Sequence, residues 1–266
     1  MAAKPKLGQN FLRDPQAIQR IVAALGPIGS RTVVEIGPGK GAITELLAAQ
    51  TKHLIAIELD RELAWTLQER FLPEKGFHVT VCRQDVLHFD FTAAQKVAGE
   101  RLLIVGNLPY YITSPILLRL AENATALDRA VVMVQREVAD RVTARPGSRD
   151  YGLLSVTLQL YGSVEALFSL PPEAFVPPPE VHSTVFRWNF APRFAELGIE
   201  EAPFIAFLKQ SFAQKRKTLS NNLRAAGFAA DKVAAAFATT NISPQIRAEA
   251  LPVQDLAAIW RATIHD

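Results

Sequence analysis

The stretch Thr32-Val33-Val34-Glu35-Ile36-Gly37-Pro38-Gly39-Lys40-Gly41 begins as a short apolar run and ends in a glycine-rich turn. The apolar part predicts a buried strand, and the glycines let the backbone turn tightly and approach a ligand where a helix begins. Outward from it, amphipathic patterns such as Ile43–Ala49 and Arg61–Phe71 alternate with further apolar runs. Those runs are His53–Ile57, Val79–Cys82, Leu102–Val105 and Ala130–Val134. Strands that alternate with helices predict an α/β fold with a doubly wound, mostly parallel sheet.

The pattern changes towards the carboxyl end of the chain. Two apolar runs, Ser155–Tyr161 and Thr184–Phe190, flank the proline-rich segment Pro171–Pro179 and predict an antiparallel pair of strands that closes the sheet. Beyond Pro192 the apolar residues recur at helical spacing. We therefore predict two domains, residues 1–192 containing the sheet and residues 193–266 forming a small all-helical domain. The helices predicted there are Phe204–Phe212, Asp231–Phe237 and Val253–Ala262.

Composition narrows the class of protein. Hydrophobic residues make up 49% of the 266 residues, enough to bury a core. The longest apolar runs, such as residues 130–134, are far too short to cross a bilayer, and Met1–Phe11 has no apolar core of a secretory signal. The single cysteine, Cys82, excludes an internal disulfide and a multi-cysteine metal site. We expect a cytoplasmic protein that needs no metal.

The charge balance is mildly basic, with a net charge of +3 and an isoelectric point of about 9.1. This fits a nucleic-acid partner without requiring one. The basic residues form a compact cluster, Lys215-Arg216-Lys217, and a looser one that contains Arg136, Arg141, Arg145 and Arg149. Taken alone, each cluster is most simply interpreted as a solvated surface.

The glycine-rich turn predicts a nucleoside cofactor and leaves its identity open. Gly37, Gly39 and Ala42 also match the dinucleotide-binding fingerprint. Glu58, at the end of the second predicted strand, would accept hydrogen bonds from the ribose hydroxyls of either NAD or S-adenosylmethionine. A glycine turn with a purely structural role is the third interpretation.

Two acidic residues favour S-adenosylmethionine. Glu35 lies just before the glycines, which is typical of methyltransferases. Asp85 follows the third predicted strand, where a carboxylate can accept a hydrogen bond from the adenine amino group of the cofactor. An aspartate at a strand end is also a common cap, so neither residue alone distinguishes the cofactors.

Asn107-Leu108-Pro109-Tyr110 follows the fourth predicted strand and matches the [N/D]-P-P-[Y/F] pattern of amino-methyltransferases, with Leu108 in the first proline position. The lone pair of an adenine N6 is delocalised into the ring, so this nitrogen is a poor nucleophile. An acceptor on Asn107 and a carbonyl near Leu108 can bind both amino hydrogens, which orients the nitrogen and favours a localised lone pair. Tyr110 offers a flat face for an extruded base.

Five segments together resemble the ribosomal RNA adenine dimethyltransferase family, in order along essentially the whole chain. They are Gln9-Asn10-Phe11-Leu12, Glu35–Thr44, Asn107-Leu108-Pro109-Tyr110, Phe175-Val176-Pro177-Pro178-Pro179-Glu180-Val181-His182-Ser183, and Gln214–Leu223. The resemblance implies a Rossmann-like class I methyltransferase domain with a seven-stranded sheet, followed by a helical RNA-binding domain. It also implies S-adenosylmethionine-dependent addition of two methyl groups to each of two adjacent adenines near the 3′ end of small-subunit ribosomal RNA. The partner would be the immature small ribosomal subunit, and the protein would act as a monomer.

The resemblance also implies roles for individual residues. Those implied to contact the cofactor are Asn10, Leu12, Gly37, Glu58, Asp85 and Asn107. Asn107, Leu108 and Tyr110 would hold the target base. Phe175 would stack on its other face, whereas without the resemblance a core aromatic is the better interpretation of Phe175. Tyr111 stands where many members carry a smaller polar residue, which leaves the rim of the pocket undetermined.

The geometry that this reaction requires leads to a prediction for the RNA surface. The flipped base must enter beside Tyr110, so the RNA backbone must cross the carboxyl edge of the sheet. We predict that Arg136 and Arg145 on one wall, and Lys215, Arg216 and Lys217 on the opposite wall, contact phosphates rather than bases.

Three alternatives remain open from the sequence. The first is the sister family that methylates large-subunit ribosomal RNA and confers macrolide resistance; Leu108 and the helical tail favour the small subunit instead. The second is a non-catalytic assembly or transcription factor on the same fold, which intact cofactor and base motifs disfavour. The third is a nicotinamide dehydrogenase, disfavoured because no acid or base suited to hydride transfer lies near Asn107.

Overall fold

The computed structural model describes residues 10–264 of the chain. Within that range the contacts divide the chain into two compact units. The first comprises residues 10–139 and 163–191, and the second residues 140–162 and 192–264. Each unit has its own cluster of buried apolar side chains.

The first unit contains a seven-stranded sheet in the order β4-β3-β2-β5-β6-β9-β7. Its strands are β2 (Thr32–Ile36), β3 (His53–Glu58), β4 (Val79–Arg83), β5 (Leu102–Asn107), β6 (Leu127–Gln135), β7 (Gly162–Leu170) and β9 (Ser183–Phe190). Strands β2 to β6 pair in parallel, and β9 joins β6 antiparallel. Strand β2 is buried along its whole length and its neighbours β3 and β5 at all but one residue each, as expected for a parallel sheet covered on both faces. The predicted α/β fold with a mostly parallel seven-stranded sheet is confirmed.

Helices connect the parallel strands as the alternating pattern predicts. In the first unit they are α1 (Pro15–Ala24), α2 (Ala42–Ala48), α3 (Arg61–Arg70), α4 (Phe91–Ala98) and α5 (Thr113–Glu122), and α6 (Arg136–Val142) begins there. A separate two-stranded ladder joins β1 (Phe11–Leu12) to β8 (Phe175–Val176). The strand order reverses direction between β2 and β5, which is the place where doubly wound sheets bind ligands.

One predicted strand is wrong. Residues Leu153–Leu160 form the helix α7, and the strand that joins the sheet is β7, which starts at Gly162. The segment Ser155–Tyr161 is apolar almost throughout because α7 is buried on nearly all sides, and periodicity cannot distinguish a buried helix from a buried strand. The predicted antiparallel closure itself is present: Ser169 bonds to Thr184 and Asn189 to Ser163, so β7 and β9 run in opposite directions.

The second unit is helical in the residues described. It contains α7, α8 (Phe194–Leu197), α9 (Glu201–Ser211), α10 (Leu219–Ala225), α11 (Ala230–Thr240) and α12 (Val253–Ile264). Its core places Tyr151, Val156 and Leu160 among the apolar faces of the later helices. The contacts therefore group residues 140–162 with the helical unit, whereas the predicted boundary lay at a single point, 192/193. The cause is the burial of α7 in this second core.

Among the described residues, every helix is too short or too polar to traverse a lipid bilayer. The edge position of β4 leaves Cys82 half-buried.

Candidate active site

A cavity of about 1040 Å³, including space open to solvent, lies at the carboxyl ends of β2, β3 and β5 in the first unit. It is lined by all but one of the residues predicted for cofactor and base: Asn10, Leu12, Gly37, Glu58, Asp85, Asn107, Leu108 and Tyr110. The parallel strands end at one edge of the sheet, so residues far apart in sequence meet there. The exception is Phe175.

The glycine-rich turn lines the cavity. Gly39 has a φ of 58°, and a Cβ atom placed there would lie 2.9 Å from the Phe11 ring. Only glycine therefore allows the segment containing Phe11 to lie directly over the turn. Lys40 adds a cation–π contact, with its Nζ 4.7 Å from the Phe11 ring centre.

Two buried carboxylates flank the turn. Glu35 is 2% exposed and Glu58 is 4% exposed. Burial, together with repulsion from Glu58, raises the pKa of Glu35 to about 7, and burial also raises the pKa of Glu58. Both oxygens of Glu58 accept backbone N–H groups, from Gly39 at 3.0 Å and from Asp60 at 2.9 Å, which fixes its orientation.

The two carboxyl groups indicate which chemical groups a ligand at the turn must carry. Glu35 Oε2 is buried without a hydrogen-bond partner in the described chain, and the Glu58 oxygens retain lone pairs for further donors. Buried oxygens of this kind suit a ligand with hydroxyl groups, and a positive charge beside Glu35 would favour its ionised form. The negatively charged pyrophosphate of a dinucleotide would oppose that ionisation, so the site fits S-adenosylmethionine better than NAD.

Asp85 lines the cavity two residues after the end of β4. Its side chain is one-third exposed, and one oxygen accepts the backbone N–H of Leu87 at 2.9 Å. The second oxygen, 3.9 Å from His88 Nδ1, is available to a ligand donor. The carboxylate therefore both caps the short turn after β4 and lines the cavity.

Asn107 is held in one orientation. Its Nδ2 donates to the backbone carbonyl of Asn10 at 2.8 Å. A carbonyl can only accept, so the amide nitrogen must face Asn10 and the amide oxygen must face away. Asn107 Oδ1 is buried and has no partner among residues 10–264. An unpaired buried acceptor that lines a cavity marks the place where a ligand donor belongs.

Leu108 and Tyr110 continue this wall. The Leu108 N–H donates to the Met133 carbonyl at 3.0 Å, which fixes the backbone at the end of β5. Tyr110 is half-buried, and its hydroxyl shares a 2.7 Å hydrogen bond with that of Ser183, a fully buried residue at the start of β9. Burial raises the pKa of Tyr110, so this hydroxyl stays protonated. The sequence interpretation assigned no role to Ser183, although it closes the proline-rich motif.

Phe175 lies elsewhere. It is 1% exposed, belongs to the apolar core of the first unit and does not line the cavity. Its pairing with Leu12 in the β1–β8 ladder holds it in that core. The described geometry favours the core-aromatic interpretation over the predicted stacking role.

The predicted basic residues are divided unequally between the two units. Lys215, Arg216 and Lys217 are exposed on the loop between α9 and α10, and Lys215 Nζ donates to the Arg149 carbonyl at 3.3 Å. Arg145 therefore belongs to the same unit as Lys215, Arg216 and Lys217, and Arg136 to the other. The cause is again the burial of α7, which carries residues 140–162 into the helical unit. We name the exposed residues Arg145, Arg149, Lys215, Arg216 and Lys217 the basic surface. Arg136 is exposed at the start of α6 in the first unit.

Asn222 is hydrogen-bonded to the backbone of the loop that carries Lys215, Arg216 and Lys217. It is 4% exposed, and its Nδ2 donates to the carbonyls of Ser211 at 2.8 Å and Gln214 at 3.3 Å. It thereby ties the basic loop to α10. No group of three or more His, Cys, Asp or Glu side chains within residues 10–264 is arranged to hold a metal ion.

The sheet order, the carboxylates beside the glycine turn and the acceptor at the end of β5 define a methyltransferase that uses S-adenosylmethionine. A family model described as "Ribosomal RNA adenine dimethylase" matches residues 1–264. The chain belongs to this family.

Individual relatives agree with this assignment. "Ribosomal RNA small subunit methyltransferase A" of Acidobacterium capsulatum is 59% identical over 99% of this chain and 92% of its own length. The protein of the same description from Koribacter versatilis is 48% identical, over 97% and 94%. Two solved structures share the fold: a dimethyladenosine transferase from Plasmodium falciparum (TM-score 0.77, 22% identity, 94% and 95% coverage) and the 23S rRNA methyltransferase ErmE (0.72, 24%, 96% and 100%).

Proposed function

We propose that this protein transfers methyl groups from S-adenosylmethionine to the N6 amines of two adjacent adenines near the 3′ end of small-subunit ribosomal RNA, two on each. One observation carries the proposal: the buried, unpaired Oδ1 of Asn107 in a cavity shared with the glycine turn. It is an acceptor placed for an amine, next to the site of a cationic cofactor. The relatives named above, described as small-subunit methyltransferases, support the choice of RNA.

The cofactor would be held by the residues at the ends of β2, β3 and β4. Glu58 would accept hydrogen bonds from the ribose hydroxyls, and Asp85 would accept one from the cofactor's adenine amine. Gly37 lets the backbone approach, while Asn10 and Leu12 would cover the ligand from the other side. When bound, the cofactor supplies an electrophilic methyl group on a positively charged sulfur.

The target adenine would enter between Asn107 and Tyr110. Asn107 Oδ1 and the Leu108 carbonyl would each accept one amino hydrogen, which directs the nitrogen lone pair towards the cofactor side of the cavity. The fixed amide of Asn107 needs no rearrangement when the base arrives, because its nitrogen is already bonded to Asn10. The Tyr110 ring, anchored by Ser183, would stack on the base.

The basic surface of the helical unit would contact RNA phosphates, and Arg136 of the first unit would do the same. Exposed lysine and arginine side chains neutralise phosphates without reading sequence, so specificity would come from the shape of the folded RNA. The enzyme would act in the cytoplasm, as a monomer, on the immature small subunit. Residues 193–266 would form its RNA-binding region.

The large-subunit alternative is answered by experiment. Purified small and large subunits that lack adenine methylation are incubated with labelled S-adenosylmethionine, and the modified bases are mapped by mass spectrometry. We expect dimethyladenine at two adjacent positions in the small subunit and none in the large. Label confined to the large subunit, or no label with either, would refute the proposal.

A further inference from the structure

We infer that the exposed ring of Tyr111 is a stacking platform for the nucleotide next to the target adenine. This inference rests on the proposed function and adds a second base-binding site to it. The two consecutive tyrosines would then bind different bases. Tyr110 would stack on the target adenine inside the cavity, and Tyr111 would stack on the adjacent base at the mouth of the cavity.

The two tyrosines lie in the same short 3-10 turn, Tyr110–Ile112, yet their surroundings differ. Tyr110 is half-buried and its hydroxyl is bonded to Ser183. Tyr111 is 59% exposed, and its hydroxyl makes no hydrogen bond within residues 10–264. Both line the cavity. A side chain that lines a cavity and is also more than half exposed lies at its rim.

The position of this rim follows from the sheet. The turn begins directly after Pro109 at the end of β5, on the side of the cavity that carries the acceptor of Asn107. The other exposed apolar residue of the lining, Leu59 (50% exposed), follows β3 on the cofactor side. The aromatic rim is therefore beside the place proposed for the base.

Extrusion of the target adenine brings the adjacent base to the Tyr111 ring. When a base leaves its stack, the adjacent base loses one stacking partner, and both remain joined by a short backbone segment. That neighbour must lie at the mouth of the cavity. An exposed ring there replaces the lost partner and accepts any base, because every base has a π-face. For a target with two adjacent adenines, the neighbour is itself a purine during at least one round.

Substitutions at Tyr111 test the stacking. Tyr111→Ala should lower kcat/KM on undermethylated small subunits roughly 5- to 150-fold, the range found when a base–aromatic stack is removed. Tyr111→Phe should retain the wild-type value, and Tyr111→Leu should behave like alanine. Affinity for S-adenosylmethionine, measured by calorimetry, should be unchanged in all three. A changed cofactor affinity would instead make Tyr111 a cover of the cofactor site and would overturn the inference.

Trp65→Ala is the matched control. Trp65 is an equally exposed aromatic residue (63%) on α3 of the same unit, and it does not line the cavity. Its loss should leave kcat/KM at the wild-type value. An equal loss at Trp65 and Tyr111 would indicate a general effect of exposed aromatics and would contradict the platform.

A double-perturbation cycle identifies the partner of the ring. Small subunits are reconstituted with rRNA carrying an abasic site on the 5′ or the 3′ side of one target adenine. If Tyr111 stacks on that neighbour, Tyr111→Ala should cost nothing further on one of the two abasic substrates. Additive losses on both would overturn the inference while leaving the proposed function intact. Wild-type protein that methylates no small subunit would overturn the proposed function itself.

Discussion

The cavity of the α/β unit and the basic surface of the helical unit are built in opposite ways. In the cavity, the polar side chains are partly or fully buried and are oriented by hydrogen bonds: the Asn10 carbonyl orients Asn107, Ser183 orients Tyr110, and the Gly39 N–H orients Glu58. On the basic surface the charges are exposed, and only the loop beneath them is tied down, by Asn222. Orientation is set before binding in the first region, whereas the second offers charge without fixed geometry.

The largest effect is expected where orientation matters most. Asn107→Ala removes the acceptor and should lower the single-turnover rate of methyl transfer about 100- to 1,000-fold, the usual result of losing one preorganised polar group. The fold and most of the cofactor affinity should remain. Rapid-quench assays with saturating small subunits measure the rate. Asn123→Ala, which removes an asparagine of the same unit outside the cavity, is the control and should transfer methyl groups normally.

Glu35, a buried group of the cavity, should make stability depend on pH. Its pKa rises from 4.5 to about 7 on folding, so between these values the folded protein keeps a proton that the unfolded chain releases. The stability contributed by the neutral form is complete below pH 4.5 and is lost as pH rises through 7. Glutamine cannot ionise, so Glu35→Gln should gain stability relative to wild type as pH rises, by up to roughly 3 kcal/mol at pH 8.

Urea unfolding of cofactor-free protein between pH 4.5 and 8 measures this difference. Glu74→Gln, at an exposed position in the same unit, is the control and should show no such trend. A Glu35→Gln difference that stays flat with pH would show that the buried carboxyl does not titrate in this range. The same ionisation should make the cofactor, a cation, bind more tightly above pH 7 than below it.

Glu58 tests whether the fixed carboxylate serves the ligand. Glu58→Ala should weaken binding of S-adenosylmethionine by roughly 1.5–3 kcal/mol, because a charged acceptor is lost. Glu58→Gln, which retains one acceptor oxygen, should lose less. Calorimetry with the cofactor alone measures both. Unchanged affinity in the alanine variant, or tight binding of NAD by wild type, would contradict the assignment of the turn.

The basic surface should respond weakly to each single change, since exposed ion pairs contribute at most about 1 kcal/mol each. Lys215→Glu combined with Lys217→Glu should weaken binding to small subunits and reduce the slope of log K against log salt by about 2. Cofactor affinity should not change. Lys209→Glu with Lys232→Glu makes the same charge change elsewhere in the helical unit. If both pairs behave alike, net charge rather than this surface determines binding.

The difference between the two regions also explains what the sequence could predict. The strands β2 to β5 were predicted to within two residues at each end because each is a short apolar run ended by a turn, whereas β6 starts three residues before its predicted run. Most cavity residues were predicted because the reaction needs an acceptor and an aromatic face directly after strands. The partners that orient them could not be predicted, since Asn10 and Asn107 are 97 residues apart and meet through a backbone carbonyl, which carries no sequence signal.

The wrong strand prediction has a structural cause. The helix α7 is apolar on nearly every side, so it was predicted as a strand, and its burial in the helical core groups residues 140–162 with that unit. Burial of this kind depends on residues more than 40 positions further along the chain, such as Phe204 and Phe207. Local patterns report that a segment is buried, and they do not report which core buries it.

The hydrogen bond from Asn107 to the Asn10 carbonyl makes the reaction sensitive to the integrity of the amino-terminal segment. A chain clipped after residue 10 would keep its sheet and every side chain proposed to touch the adenine. Its Asn107 amide, however, would be free to rotate by half a turn and to present hydrogens where the incoming amine also presents hydrogens. Proteolytic removal of residues up to and including Asn10 should therefore lower turnover while the sheet is retained, and preparations that differ only in this cleavage should differ in specific activity.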